Sequence, residues 1–250
     1  MSEKRVILFD IDGTLVSSQK SEFDERRRYV DAIREVTDKE PSVVPSRFAG
    51  MVDPQICRII LTEVGIDEQL IGSYLPQVIA RMSQAYITMR KQVTLNRGVR
   101  ELLEVLTQPP PSVLGVVTGN IAAIGTEKLA AARIEHYFSE GFYADRYVDR
   151  NRLVKDAVET CVSKYKLSDT TKVVIVGDTP LDVKAANEAQ ATSIGIASGV
   201  YSIDELSKEG AQTVFHDLTP SNALLTSLAL FNNRRMLFPQ RFGSSKYPPM

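Results

Sequence analysis

The stretch LFDIDGTLV, Leu8 to Val16, decides the fold. Its first half completes the apolar run RVILFD (Arg5–Asp10), short and unbroken, as in a strand buried on both faces. Two aspartates two residues apart follow, then a glycine and a threonine. Gly13 permits an immediate bend, so Asp10 and Asp12 can face a common site. Further along, VLGVVTGN (Val113–Asn120), TKVVIVGD (Thr171–Asp178) and ATSIGIASG (Ala191–Gly199) repeat the pattern, and AQTVF (Ala211–Phe215) is a weaker fifth. Between them lie the helical patterns RGVRELLEVLTQ, IAAIGTEKLAAARI, NRLVKDAVETCVSKY and LDVKAANEAQ. Strands alternating with helices predict an α/β fold, a doubly wound parallel sheet covered on both faces. Such sheets bind ligands beyond the carboxyl ends of their strands. Three runs end there in polar or small residues: Asp10 with Asp12, Thr118–Gly119–Asn120, and Gly177–Asp178.

Residues 17 to about 92 break the alternation. RRRYVDAIREV, PQICRIILTEV and EQLIGSYLPQVIARMSQAYITMR read as helix, with no clear strand between them. The expected organisation is a core from residues 1–16 and 93–231, with a helical unit from residues 17–92 over the edge where the first strand exits. Linkers are expected near Val16–Glu22 and Gln92–Arg97. The last stretch, residues 232–250, loses periodicity and gathers Pro, Gly and Ser, as in a flexible tail.

Composition narrows the function. The 250 residues carry 30 basic and 31 acidic side chains, a formal charge of -1. That balance argues against sequence-independent binding to nucleic acid, which needs a basic surplus. No stretch approaches the roughly 20 apolar residues of a membrane span, and the apolar run of MSEKRVILFD is too short for a signal peptide. Cys57 and Cys161 are far apart and lack CxxC spacing, so a disulfide framework or zinc site is not expected. The reading is a soluble cytoplasmic protein, monomer or homodimer.

Clustered carboxylates repel, and a cation lets them stay ionised together. Asp178 ends another strand and Asp182 follows four residues later. Oxygen ligands with no local His or Cys suit Mg²⁺ rather than zinc.

FDIDGTL, VVTGN and VVIVGDTPLDVKAA, in this order and spacing, resemble the first, second and fourth motifs of the haloacid dehalogenase superfamily of hydrolases. The resemblance covers residues 5–230. The helical insertion, with FAGMVDPQICRIIL (Phe48–Leu61), is similar to the cap of its phosphoglycolate phosphatase-like branch. The resemblance implies a Rossmann-like core with an inserted all-helical cap that opens to substrate and closes against water. It implies a Mg²⁺-dependent phosphatase for a small phosphorylated metabolite. Asp10 is then the nucleophile forming an aspartyl-phosphate, and Asp12 the general acid and base. The Asp10 and Asp178 carboxylates and the Asp12 carbonyl would hold the metal, with Asp182 behind them. Thr118, with the backbone of Gly119 and Asn120, would bind the phosphoryl oxygens. The third motif, usually a lysine, departs here: VDRNRLVKDAVETC offers Arg150, with Arg152 and Lys155 as rivals.

An acid at Asp12 points to phosphate esters, because a halide leaves without a proton. Phosphomutases also keep both aspartates, but tend to differ after the glycine of GTLV. A non-catalytic phospho-aspartate regulatory or binding module remains the alternative from another class. Phosphoglycolate, sugar phosphates and nucleotides all fit the motifs, since leaving-group contacts fall in the insertion, where Arg47 and Asp53 flank the FAG turn. The basic run Arg26–Arg28 and Arg34 reads as a solvated helix face. Cys57 and Cys161 sit in apolar helical patterns and read as buried thiols.

Overall fold

The computed structural model describes residues 5–17, 27–41, 48–88, 93–109 and 112–228. Val6–Phe9 form β1, with all four side chains buried. The other strands are β2 (Val113–Val117), β3 (Glu140–Phe142), β4 (Val173–Gly177), β5 (Thr192–Ile196) and β6 (Thr213–Phe215). They make one six-stranded sheet in the order β3-β2-β1-β4-β5-β6. Every pairing is parallel, and Val6 lies between Val113 and Val173. The winding direction reverses between β1 and β4, which opens a crevice at their carboxyl ends.

The alternation of a strand explains the two core layers. Ile7 and Phe9 join Leu102 and Leu103 of α4 (Val99–Leu106), Leu129 of α5 (Ala122–Ala131) and Leu224 of α9 (Asn222–Ser227). Val6 and Leu8 join Leu153 and Ala157 of α6 (Arg150–Tyr165) and Ala185 of α7 (Pro180–Glu188) on the opposite face. The short α8 (Ile203–Lys208) lies between β5 and β6 in sequence.

Between β1 and α4 come α1 (Arg27–Thr37), α2 (Asp53–Glu63) and α3 (Glu68–Thr88). They share a hydrophobic core of their own, with Ile33, Cys57, Leu61, Met82 and Tyr86. Ile121 and Ile124, at the start of α5, belong to the same cluster, so these helices pack directly on α5. The chain leaves and re-enters the sheet layer side by side. Val16 bridges Leu95 antiparallel, and the Ser17 N–H donates to the Thr94 carbonyl at 2.8 Å.

The sheet has one strand more than the sequence predicts. β3 is three residues long, Glu-Gly-Phe, at an edge and half-buried, so no apolar run marks it. Arg28 also departs from the expected solvated face: it is buried, 7% exposed. Arg34 does face solvent, paired with Asp31 and Glu40. Cys57 and Cys161 are buried and unbonded. Arg26, Arg47 and the expected tail lie outside the described residues. Among those described, no helix is long and apolar enough to cross a membrane.

Candidate active site

The carboxyl end of β1 turns at once. Asp10 still pairs in the sheet, its N–H donating to the Val176 carbonyl at 2.8 Å. Residues 11–15 then close a tight loop, with the Leu15 and Val16 N–H groups both donating to the Ile11 carbonyl at 2.9 Å. Gly13 has φ +84°, and a Cβ there would run into the Asp178 carboxylate. Both the backbone conformation and the close approach therefore demand glycine. Asn96, on the returning segment, pins the loop by donating to the Gly13 carbonyl at 2.7 Å and the Thr14 carbonyl at 2.9 Å. Ser198 donates to the Gly13 carbonyl from the other side at 2.7 Å.

Three buried carboxylates converge there. Asp10, Asp178 and Asp182 each offer an oxygen within 4.8 Å of the others. The Arg150 guanidinium lies among them, its Nη2 donating to Asp10 Oδ1 at 2.8 Å and ion-paired with Asp182. Arg150 opens α6, directly after the N-cap Asp149, whose side chain accepts from the Arg152 N–H at 2.8 Å. Arg152 and Lys155 lie on the solvated face, paired with Asp156 and Glu159. Asp182 has two tasks. Its Oδ2 accepts from the Thr179 N–H at 3.0 Å in a capping box that starts α7, and its other oxygen faces Arg150. Thr14 donates to Asp178 Oδ1 at 3.1 Å.

Asp12 is not in this cluster. Its carboxylate turns to Lys128 of α5, whose Nζ lies 2.6 Å from both oxygens, and accepts from Asn120 Nδ2 at 2.6 Å. Asn120 in turn donates to Thr118 Oγ1, from Nδ2 at 2.9 Å and from its backbone N–H at 3.2 Å. The Asn120 N–H expected for a phosphoryl oxygen is thus directed at Thr118. Thr118 is fully buried at the end of β2. Gly119 is hemmed in, since a Cβ there would meet the Met51 carbonyl.

Burial sets the electrostatics. It pushes the Asp10 carboxyl up to about 7, with Asp182 and Asp12 adding repulsion and Arg150 pulling the other way. Burial, then Asp10 and Asp182, push Asp178 well above the carboxylate range. Asp12 goes down instead. Burial opposes its charge, but the Lys128 ammonium, the bonds from Asn120 and Lys128 and the charge of Arg28 outweigh it.

Asp53 opens α2 and is 2% exposed. One carboxylate oxygen accepts from Arg28 at 3.1 Å and from the Tyr29 hydroxyl at 2.5 Å, and the other from the Ile121 N–H at 3.0 Å. Its own N–H donates to the Gly119 carbonyl at 2.7 Å. Its bonds tie α2 to α1 and to the start of α5. Lys128 and Asn96 escaped the sequence reading. For Lys128 the available signal is its spacing: Ile121, Ile124 and Lys128 fall on one helical face, and a lysine on an apolar stripe needs a buried anion.

A doubly wound parallel sheet with carboxylates and a threonine gathered at its switch point, and helices inserted after its first strand, defines an α/β protein with a carboxylate-centred site. The haloacid dehalogenase-like hydrolase family matches residues 7–196, and the chain belongs to it. No curated protein sequence matches the chain. Solved structures of like fold include a predicted phosphoglycolate phosphatase from Haemophilus somnus 129PT, 20% identical, with a TM-score of 0.65 over 88% of this chain and 96% of that one. A hydrolase from Pseudomonas syringae is 22% identical, with a TM-score of 0.63 over 86% of this chain and 95% of that one. CbbY from Rhodobacter sphaeroides, in complex with phosphate, is 14% identical, with a TM-score of 0.67 over 91% of this chain and 100% of that one. At these identities the likeness is one of fold.

Proposed function

We propose that this hydrolase is a Mg²⁺-dependent phosphatase that cleaves a small phosphorylated metabolite through an aspartyl-phosphate on Asp10. The observation that carries this reading is the division of labour between two aspartates two residues apart. Asp10 lies beside a guanidinium and in a carboxylate cluster, whereas Asp12 is held outside it. The name of the Haemophilus somnus protein and the phosphate bound to CbbY point the same way.

The donor set fits a hard divalent cation. Three carboxylates, Asp10, Asp178 and Asp182, face one guanidinium and lack any histidine or thiol partner in the cluster. Fully ionised, they leave two negative charges uncompensated, the charge of one such ion. Asp10 and Asp178, with the Asp12 carbonyl, would hold it. When bound, it neutralises the carboxylates and polarises the phosphoryl oxygens.

The chain's own groups carry the steps. An Asp10 oxygen forms a bond to phosphorus as the bond from phosphorus to the ester oxygen breaks. Asp12, ionised in the resting fold, first takes a proton from solvent, gives it to that leaving oxygen and becomes a carboxylate again. It then takes a proton from the water that attacks the aspartyl-phosphate, which releases inorganic phosphate and restores Asp10. Arg150, whose Nε has no hydrogen-bond partner among the described residues, holds the equatorial oxygens. Thr118 accepts both bonds from Asn120, which leaves its hydroxyl hydrogen for a phosphoryl oxygen. The α1–α3 unit acts as the cap over this edge, and the two unpaired thiols suit a reducing cytoplasm.

The test is phosphate release from a panel of phosphorylated metabolites, with Mg²⁺ or EDTA, for wild type and Asp10→Asn. Metal-dependent turnover that Asp10→Asn abolishes is expected. No release from any ester by folded wild type would overturn the reading.

A further inference from the structure

We infer that Lys128, on α5 and outside every motif that resembles the family, is the positioning residue of the proton-transfer step: it holds the Asp12 carboxylate apart from the metal cluster and on the leaving-group side. The inference rests on the reading of Asp12 as acid and base.

A lysine with no exposed surface is kept in a fold only by an anion. The rest of the buried face of α5 is Ile124, Gly125 and Leu129, where an apolar side chain would serve packing as well or better. The Lys128 ammonium meets both Asp12 oxygens at 2.6 Å, and Asn120 closes the grip with its Nδ2 at 2.6 Å from Oδ2 and its Oδ1 at 3.3 Å from Nζ. Asn120 is itself oriented by Thr118, so the grip is built on the end of β2. The Tyr86 ring of α3 lies 5.7 Å from Nζ, so the inserted helices complete the surroundings of this lysine.

The grip answers a geometric problem. Asp12 follows Asp10 by two residues on a glycine turn, beside a site that would hold a cation. A carboxylate free to rotate there is drawn to the metal, where it can neither give nor take a proton. Lys128 prevents this, and it also stabilises the carboxylate left when Asp12 protonates the departing ester oxygen.

The experiment compares Lys128→Met, Asp12→Asn and the double variant on two esters. The leaving group of β-glycerol phosphate needs a proton; the phenolate of p-nitrophenyl phosphate does not. The readout is kcat/KM, which covers the steps up to leaving-group departure, with melting temperature as the check of folding. Lys128→Gln replaces Lys128→Met if the latter does not fold. The expected result for Lys128→Met is a loss of about 30-fold or more on β-glycerol phosphate and less than about 3-fold on p-nitrophenyl phosphate. The double variant should match Asp12→Asn within about 2-fold, because the lysine acts through that carboxylate. Equal losses on both esters, or losses that add in full to those of Asp12→Asn, overturn the assignment of Lys128. If Asp12→Asn itself leaves β-glycerol phosphate turnover intact, the reading of Asp12 fails and the assignment falls with it.

Discussion

At the scale of single residues, the site depends on missing atoms as much as on charged ones. Gly13 and Gly199 press against the Asp178 carboxylate so closely that a Cβ at either position would displace it. Gly13→Ala adds a positive φ to that collision, and should destabilise the protein by more than about 1 kcal/mol. It should also abolish the rise in melting temperature with Mg²⁺; a full Mg²⁺ shift would show that Asp178 does not hold the ion. Arg150 touches two carboxylates through one nitrogen and sends another to the Gly50 carbonyl at 3.3 Å. Arg150→Lys keeps the charge but loses the planar fork. Steady-state turnover should fall by about 10²-fold, while Arg152→Ala, on the solvated face, should match wild type.

At the scale of elements, the joint between α2 and α5 is the point of interest. A carboxylate at the start of α2 accepts the Ile121 N–H at the start of α5 and is neutralised by Arg28 of α1. Three helices thus meet at one buried anion, above a hydrophobic cluster that Ile121 and Ile124 share with α1–α3. Asp53→Ala leaves the Arg28 charge and the Ile121 N–H buried without this partner. The expected cost is about 3–5 kcal/mol, read from urea denaturation. A loss under about 1 kcal/mol would mean that the apolar contacts alone seat these helices.

For the whole molecule, the carboxylate cluster ties stability to pH and, on the proposed function, to metal. Burial pushes the Asp10 carboxyl up to about 7 in the metal-free fold, from an ordinary value of 3.8. Between those values the folded chain holds more protons than the unfolded one. This contribution to metal-free stability is complete below about pH 4 and lost as pH rises through about 7. A divalent cation competes with those protons, so the rise in melting temperature with Mg²⁺ should be larger at pH 8 than at pH 5.5. An equal rise at both pH values would argue against binding at ionised Asp10. A crosslink fixing α1–α3 to α5 should also lower kcat if these helices open during turnover.

The sequence by itself determined the sheet and the address of its candidate site. Buried parallel strands are written as short apolar runs, and β1, β2, β4 and β5 all carry one. The residues that end them, Asp10, Thr118 and Asp178, follow from chain order alone, because parallel strands bring their carboxyl ends to one edge. Edge strand β3 was not legible, since three half-buried residues leave no apolar signature. Only the tertiary structure decided which cation serves which anion. Arg150, Arg152 and Lys155 are alike in the linear chain, and the helical turn that buries the first exposes the other two. Arg28 sits in a charged stretch typical of a solvated helix and Lys128 stands alone on an apolar helical face, and the carboxylates that draw them inward, Asp53 and Asp12, are far away in sequence. A charge can be buried only where an opposite charge is already in place, and that is a property of the packed fold rather than of any local pattern.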